Sequence, residues 1–408
     1  VAQLTSVQVA ALTSGQVKSL NSDQVAALTS AQLNALTSSQ LPSLSTAQVR
    51  ALTTDQLSKL TTTQIVGLST AQVAALSTGQ VAALTSVQIN ALASDDLKAL
   101  TTTQVRALTS DQLSKLSSDQ IALMATDDIA ALGTGQISHL STAAIAALTT
   151  AQAKALTTAS INALTSAQVT AIETADLVGL RTAIIGTLTS NQLVALTTDQ
   201  VASMTTAQVA SLSTSSIAAL TTDQVVALNA SQVAVLSNAQ VGALSTNDLA
   251  AIETADFAAM RTAAVASLST NQIKALTTDQ VVALTTAQAG ALTSNQIGVL
   301  STDAIAAMES TDFAALKTAV VAALTTNQIG VLTTNDITAM TTAQAGALTT
   351  NQIKVLTTDQ VVAMSSAQLG AFSTAQFNAL STNDIAAIET PDLVGLRTAV
   401  IGTLTTNQ

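Results

Sequence analysis

An apolar residue recurs at every eighth position from Leu4 to Leu404, so the 408 residues make 51 octads. A period this short means an array, because each unit finds cover for its apolar face only on its neighbours. The octad positions are labelled a to h, with Leu4 at a. Column a is Leu almost throughout, replaced by all six Met, by Ile172, Ile252 and Ile388, and by Phe372. Column f is Val, Ile or Leu, with Phe257, Phe313 and Phe377, and falls to Ala at Ala153, Ala289 and Ala345. These two columns are the expected core. Column h is mostly Ala, a seam that lets backbones approach, and column g varies as a solvent face does.

Columns b and c are Ser or Thr and column e is mostly Gln, as in Leu196-Thr197-Thr198-Asp199-Gln200-Val201. Ser/Thr followed three residues later by Gln is a capping box, and flanking apolar residues at a and f form a hydrophobic staple. Each octad therefore announces a helix start, with the cap at b or c; Thr390 before Pro391 fits a cap at c and Pro at the first helical position. The helix has fewer than two turns, too short to persist alone in water. The expected fold is an all-α solenoid of very short Ser/Thr-capped helices, one per octad, running through 1–408 as a single array. A β-solenoid is the alternative, since Thr, Val and Ile are abundant. Against it stand the Ala and Leu enrichment and only 15 Gly, where tight β corners favour Gly or Asn. Pro42, in column g, falls inside an expected helix and forfeits a backbone bond. If paired octads form layers about 8 to 10 Å thick, the array spans on the order of 200 to 250 Å.

Four places break the consensus alike: Glu173 then Arg181, Glu253 then Arg261, Glu309 then Lys317, and Glu389 then Arg397, each pair in column b of successive octads. In each second octad the column e residue turns apolar, at Ile184, Ala264, Val320 and Val400. Opposite charges one period apart suggest ion pairs in an i to i+8 ladder, and the added apolar character suggests a self-association contact.

Composition excludes several functions. There is no Cys, so disulfides and thiolate metal sites are absent. Thirteen Lys and Arg against 24 Asp and Glu give a net charge of -11, with no basic surface for nucleic acid. Mean hydropathy is +0.46, yet every octad is interrupted by polar residues, so no membrane span is expected. His139 is the lone His, and the doublets Asp95-Asp96 and Asp127-Asp128 sit where a helix start favours carboxylates. They lack the spacing of a calcium loop. Neither a catalytic constellation nor a metal or cofactor site is expected.

No signal-peptide pattern is visible at Val1-Ala2-Gln3, and the sequence starts without Met in column f and stops in column e. Joining residues 404–408 to Val1 restores an unbroken octad. The chain thus reads as an excerpt of a longer array or a unit that stacks head to tail into open filaments. Units such as Leu220 to Ala227 and Leu276 to Ala283 resemble the Leu-Thr-x-x-Gln octad arrays of very large secreted bacterial surface proteins described as adhesin-like. That resemblance implies an extracellular or cell-surface location and a role in attachment or a surface layer. The expected function is structural: a non-enzymatic fibre, stalk or filament whose partner is itself. An adhesin using the solenoid surface against an unidentified cell-surface partner, or an ice- or mineral-binding Thr array, are the alternatives.

Overall fold

The computed structural model describes residue 1 and residues 3–404. The expected head-to-tail junction, through residues 405–408 and residue 2, lies outside the described residues. The chain divides into two compact units, Val1–Met204 and Thr205–Gln408, each built from the same octads. Among the described residues there are 49 α-helices of four to six residues, one 3₁₀ helix at Leu41–Ser43, and no strand. The β-solenoid alternative is therefore overturned: Thr in column b is held by capping, not by a ladder.

One octad shows how eight residues suffice. Thr109 caps the helix Ser110–Ser114 from an extended conformation; its hydroxyl accepts from the Gln112 amide at 3.3 Å, and its own N–H donates to Gln112 Oε1 at 2.7 Å. Leu113 N–H closes the first turn on the Thr109 carbonyl at 3.0 Å, and Leu116 N–H tightens the exit on Leu113 at 3.2 Å. Two extended residues then make the corner, as at Leu52 and Thr53 (φ/ψ -59/137 and -72/159). No described residue has positive φ, so the corners need no glycine.

The cap is column b, which places Pro391 at the second helical position of Thr390–Leu393, where a missing N–H is harmless. Pro42 does alter its octad. The α-helix gives way to a turn and the short 3₁₀ segment Leu41–Ser43, held by bonds from Ser43 to Gln40 and from Leu44 to Leu41 at 3.1 and 3.2 Å. The pyrrolidine ring thereby avoids the carbonyl four residues back.

Within each unit a helix packs on the helices three octads before and after it. Ser110–Ser114, for instance, lies between Ser86–Ala91 and Thr134–Ile137. One turn is thus three octads. This corrects two expectations: a layer holds three octads, not two, and equivalent columns meet three octads along, not at i+8. The core columns are a and f; Leu57, Ile65, Ile89 and Leu113 are fully enclosed, and so are Phe257 and Phe313. Large and small residues alternate where needed. Ala289 lies in column f one turn before Phe313, and beside it a Cβ on Gly290 would come within 3.0 Å of the Ala315 carbonyl. The helices Thr286–Ala291 and Ser310–Ala315 can approach this closely because column g carries no side chain there.

Ala153 is another Ala of column f, and there Leu148, Leu156, Leu164, Ile172 and Leu180 enclose a void too tight for water. Ala153→Val would add two methyl groups to a space that does not admit water, and should lower local stability by about 1 to 3 kcal/mol. Amide exchange of residues 145–180 is the measurement; slower exchange in the variant would mean that the neighbouring side chains make room.

Candidate functional site

The feature that distinguishes this fold is a column of buried amides. Gln112 is 1% exposed, and its Oε1 is held by the Thr109 N–H of its own helix start. Its Nε2 donates backwards to the carbonyls of Val81 and Leu84, at 2.8 and 2.6 Å, at the end of a helix one turn earlier. The same backward reach recurs in both units. Gln168 bonds Ile137 and Leu140 at 3.2 and 2.7 Å, and Gln352 bonds Val321 and Leu324 at 3.1 and 2.8 Å. A helix leaves its first N–H and last C=O groups without internal partners. Here one side chain serves both kinds at once, a start in its own octad and an end in the turn below. Gln8, Gln16 and Gln24, in the first turn, are exposed. Among the described residues no buried side-chain N or O lacks a partner. The capping half of this arrangement is evident from the Ser/Thr-x-x-Gln spacing; the cross-turn half is invisible without the three-octad register.

Aspartate in column e cannot donate, and the polarity of the tie reverses. Thr102 Oγ1 donates to Asp128 at 2.9 Å and Thr150 Oγ1 to Asp176 at 2.7 Å, from column c one turn earlier. Thr222 and Thr358 serve Asp248 and Asp384 in the same way, at 2.7 and 2.9 Å. Burial pushes the Asp128 carboxyl up, opposed by the Thr102 bond and reinforced by the Asp127 charge. Asp256 is also pushed up, by burial first and then by Glu253, against a bond from the Ala230 backbone.

The marker octads differ from expectation. Among the described residues none of the pairs Glu173 and Arg181, Glu253 and Arg261, Glu309 and Lys317, or Glu389 and Arg397 forms an ion pair; the pairs seen are Lys59 with Asp55 at 2.8 Å and Lys98 with Asp95 at 3.7 Å. The i to i+8 ladder fails because consecutive octads lie on different sides of the turn. The arginines instead reach backwards. Arg181 Nη2 donates to the Leu156 carbonyl at 3.2 Å, Arg261 Nη2 to Leu236 and Arg397 Nη2 to Phe372. Each of these carbonyls stands to Ile184, Ala264 or Val400 as Leu84 stands to Gln112, so a column e glutamine would have reached it. Arginine in column b thus substitutes for the missing amide in column e. The apolar replacement and the cation, separate anomalies in the sequence, are one exchange.

The other singled-out residues hold no converging chemistry. His139 is exposed, with Nδ1 donating to the Gly135 carbonyl at 2.7 Å. Asp95 and Asp127 face solvent while Asp96 and Asp128 are buried. Among the described residues no three His, Cys, Asp or Glu side chains are grouped to hold a metal, and no helix is long and apolar enough to cross a membrane.

Capped helices of four to six residues, three to a turn and tied turn to turn by a side-chain amide, define a helical octad-repeat solenoid. The sequence profile of the ALTTAQ repeat matches residues 1–38, 30–62, 57–86, 89–126, 121–158, 169–206, 202–230, 249–286, 305–342, 334–366 and 361–387, and the chain belongs to that family. No curated protein matches it.

Two tests follow from the tie. Gln112→Glu replaces two donors by acceptors facing carbonyls, and should lower local stability by roughly 2 to 5 kcal/mol at neutral pH. Exchange confined to residues 81–116 should rise; an unchanged rate there would mean the amide bonds contribute nothing. Arg181→Thr should destabilise its turn by about 1 kcal/mol, and adding Ile184→Gln should recover that loss by restoring the consensus octad. Additive rather than compensating effects in this double-mutant cycle would contradict the exchange of roles.

Proposed function

We propose that the chain is a structural, non-enzymatic segment of an extracellular fibre, stalk or filament that associates with further copies of itself. The observation that carries this reading is the sameness of the tie: within each unit, glutamines such as Gln112, Gln168 and Gln352 engage the turn before them through the same column a carbonyl. A stack built this way within a unit grows a turn for every three octads added, which suits a spacer or shaft. Lack of Cys and an acidic balance agree with a secreted setting, as does the resemblance of Leu220 to Ala227 to octads of large bacterial surface proteins.

The marker octads are the candidate contacts between copies. Glu173, Glu253, Glu309 and Glu389 are exposed N-cap residues without a side-chain capping bond, so their carboxylates are uncommitted to their own helix starts. Arg181, Arg261 and Arg397 turn toward their own backbone, and Lys317 occupies the equivalent position.

Electron microscopy of the purified chain tests the shaft directly. Extended fibres, lengthening in proportion when the octads are duplicated in tandem, are expected, together with labelling of intact cells by antibody. Compact particles of fixed size, or labelling only after cell lysis, would overturn the proposal.

A further inference from the structure

Residues 300–323 are three consecutive octads, hence one turn, and none of them carries glutamine in column e: Ala304, Asp312 and Val320 stand there instead. The turns 244–267 and 380–403 also lack glutamine, yet they keep bonds to the turn before them. Thr222 donates to Asp248 and Arg261 to the Leu236 carbonyl; Thr358 donates to Asp384 and Arg397 to the Phe372 carbonyl. In 300–323 neither device works. Thr286 stands to Asp312 as Thr150 stands to Asp176, and Lys317 to Leu292 as Arg181 to Leu156, but among the described residues neither bond forms. The carbonyls of Leu276, Leu284 and Leu292, which column e glutamines would reach, receive no side-chain bond among the described residues. What crosses from the turn 276–299 to the turn 300–323 is a single bond, from Ser294 Oγ to the Ala319 carbonyl at 3.1 Å. Where Ala144 and Ser160 interrupt the glutamines, by contrast, Gln136, Gln152 and Gln168 on either side keep their ties.

The helices of this turn are also poorly held at their own starts. Ser310–Ala315 and Thr318–Val321 begin at Glu309 and Lys317 with no side-chain capping bond, and Ser301 caps Thr302–Ala307 while Ala304 has no amide to return the bond. Apolar contact remains, with Phe313 fully enclosed. Its ring fills space that Ala289 leaves open one turn before, so it keeps the packing at ordinary density and adds no surplus. We propose that the junction between residues 276–299 and 300–323 is a joint built into the unit Thr205–Gln408, the place where its interior turns part first. Lys317 distinguishes this turn from the other marker turns. Arginine in that column spans to the carbonyl one turn back with a long, forked donor, whereas the shorter lysine is a strongly hydrated point donor and leaves the Leu292 carbonyl untied. In a shaft of the kind proposed above, the stack parts at this joint before it parts at the glutamine-tied turns beside it; the joint itself does not depend on that reading.

Native-state hydrogen exchange of the full chain, resolved by segment and corrected for intrinsic rates, tests this. Helical amides of residues 276–323 should exchange roughly tenfold or more faster than those of residues 332–379, where Gln344, Gln352, Gln360 and Gln368 tie the turns. Lys317→Arg, which changes no charge, should slow exchange in 276–323 by roughly threefold or more and leave 332–379 as it was; Ala304→Gln should slow it in the same segment. Exchange in 276–323 that is no faster than in 332–379 overturns the joint, whether or not a variant folds, and so does a folded Lys317→Arg chain that exchanges there as the wild type does. The readout is independent of the shaft: compact particles under the microscope would remove the shaft and leave the joint, while even exchange in a fibre-forming chain would remove the joint and leave the shaft.

Discussion

Everything in this fold depends on one side chain bonding in two directions. A helix of five residues leaves most of its backbone polar groups without internal partners, and burying them unpaired would exceed what one Leu and one Val gain by leaving water. The column e glutamine resolves this by accepting from the start of its own helix and donating to the end of another, one turn behind. Its amide is suited to the task because it carries an acceptor and two donors on one rigid group. Glutamate, leucine and aspartate each lack part of that set; at Ile184, Ala264 and Val400 an arginine supplies the missing donor, and at Asp128 and Asp176 the bond is reversed.

This logic makes deviations informative. Apolar Ile184 is tolerated because Arg181 reaches Leu156, and Asp176 because Thr150 turns its hydroxyl toward it. Phe313 sits one turn after Ala289, so bulk gained in one turn is absent from its neighbour. Compensation runs at the spacing of the turn, three octads, while the sequence advertises a spacing of one. Changes at one octad therefore couple to an octad three further along and pass over the two between.

Much of the local architecture was legible from periodicity. The core columns, the capping box and the one-helix-per-octad pattern all follow from where Ser/Thr, Gln and Leu stand relative to one another, because those interactions close within a single octad. Turn size was not legible, since it depends on corner dihedrals such as those of Leu52 and Thr53. With that number missing, Glu173 and Arg181 looked like ladder partners, although the arginine's partner is the Leu156 carbonyl. Pro42 likewise reads as an unexplained breaker until its octad is seen to relax into a 3₁₀ turn.

The central claim, that each octad's structural neighbours lie three octads away, is open to a direct chemical ruler. Gly290 in column g lies against Ala315 in column h of the next turn, a Cβ on Gly290 lying 3.7 Å from that of Ala315, within the span of a disulfide. The chain has no native Cys to interfere. Gly290→Cys with Ala315→Cys should oxidise to a disulfide without loss of helicity, while Gly290→Cys with Gly298→Cys, one octad apart, should stay reduced. Efficient bridging of the second pair and not the first would show that the turns are not three octads long, and the account built on the glutamine column would fall.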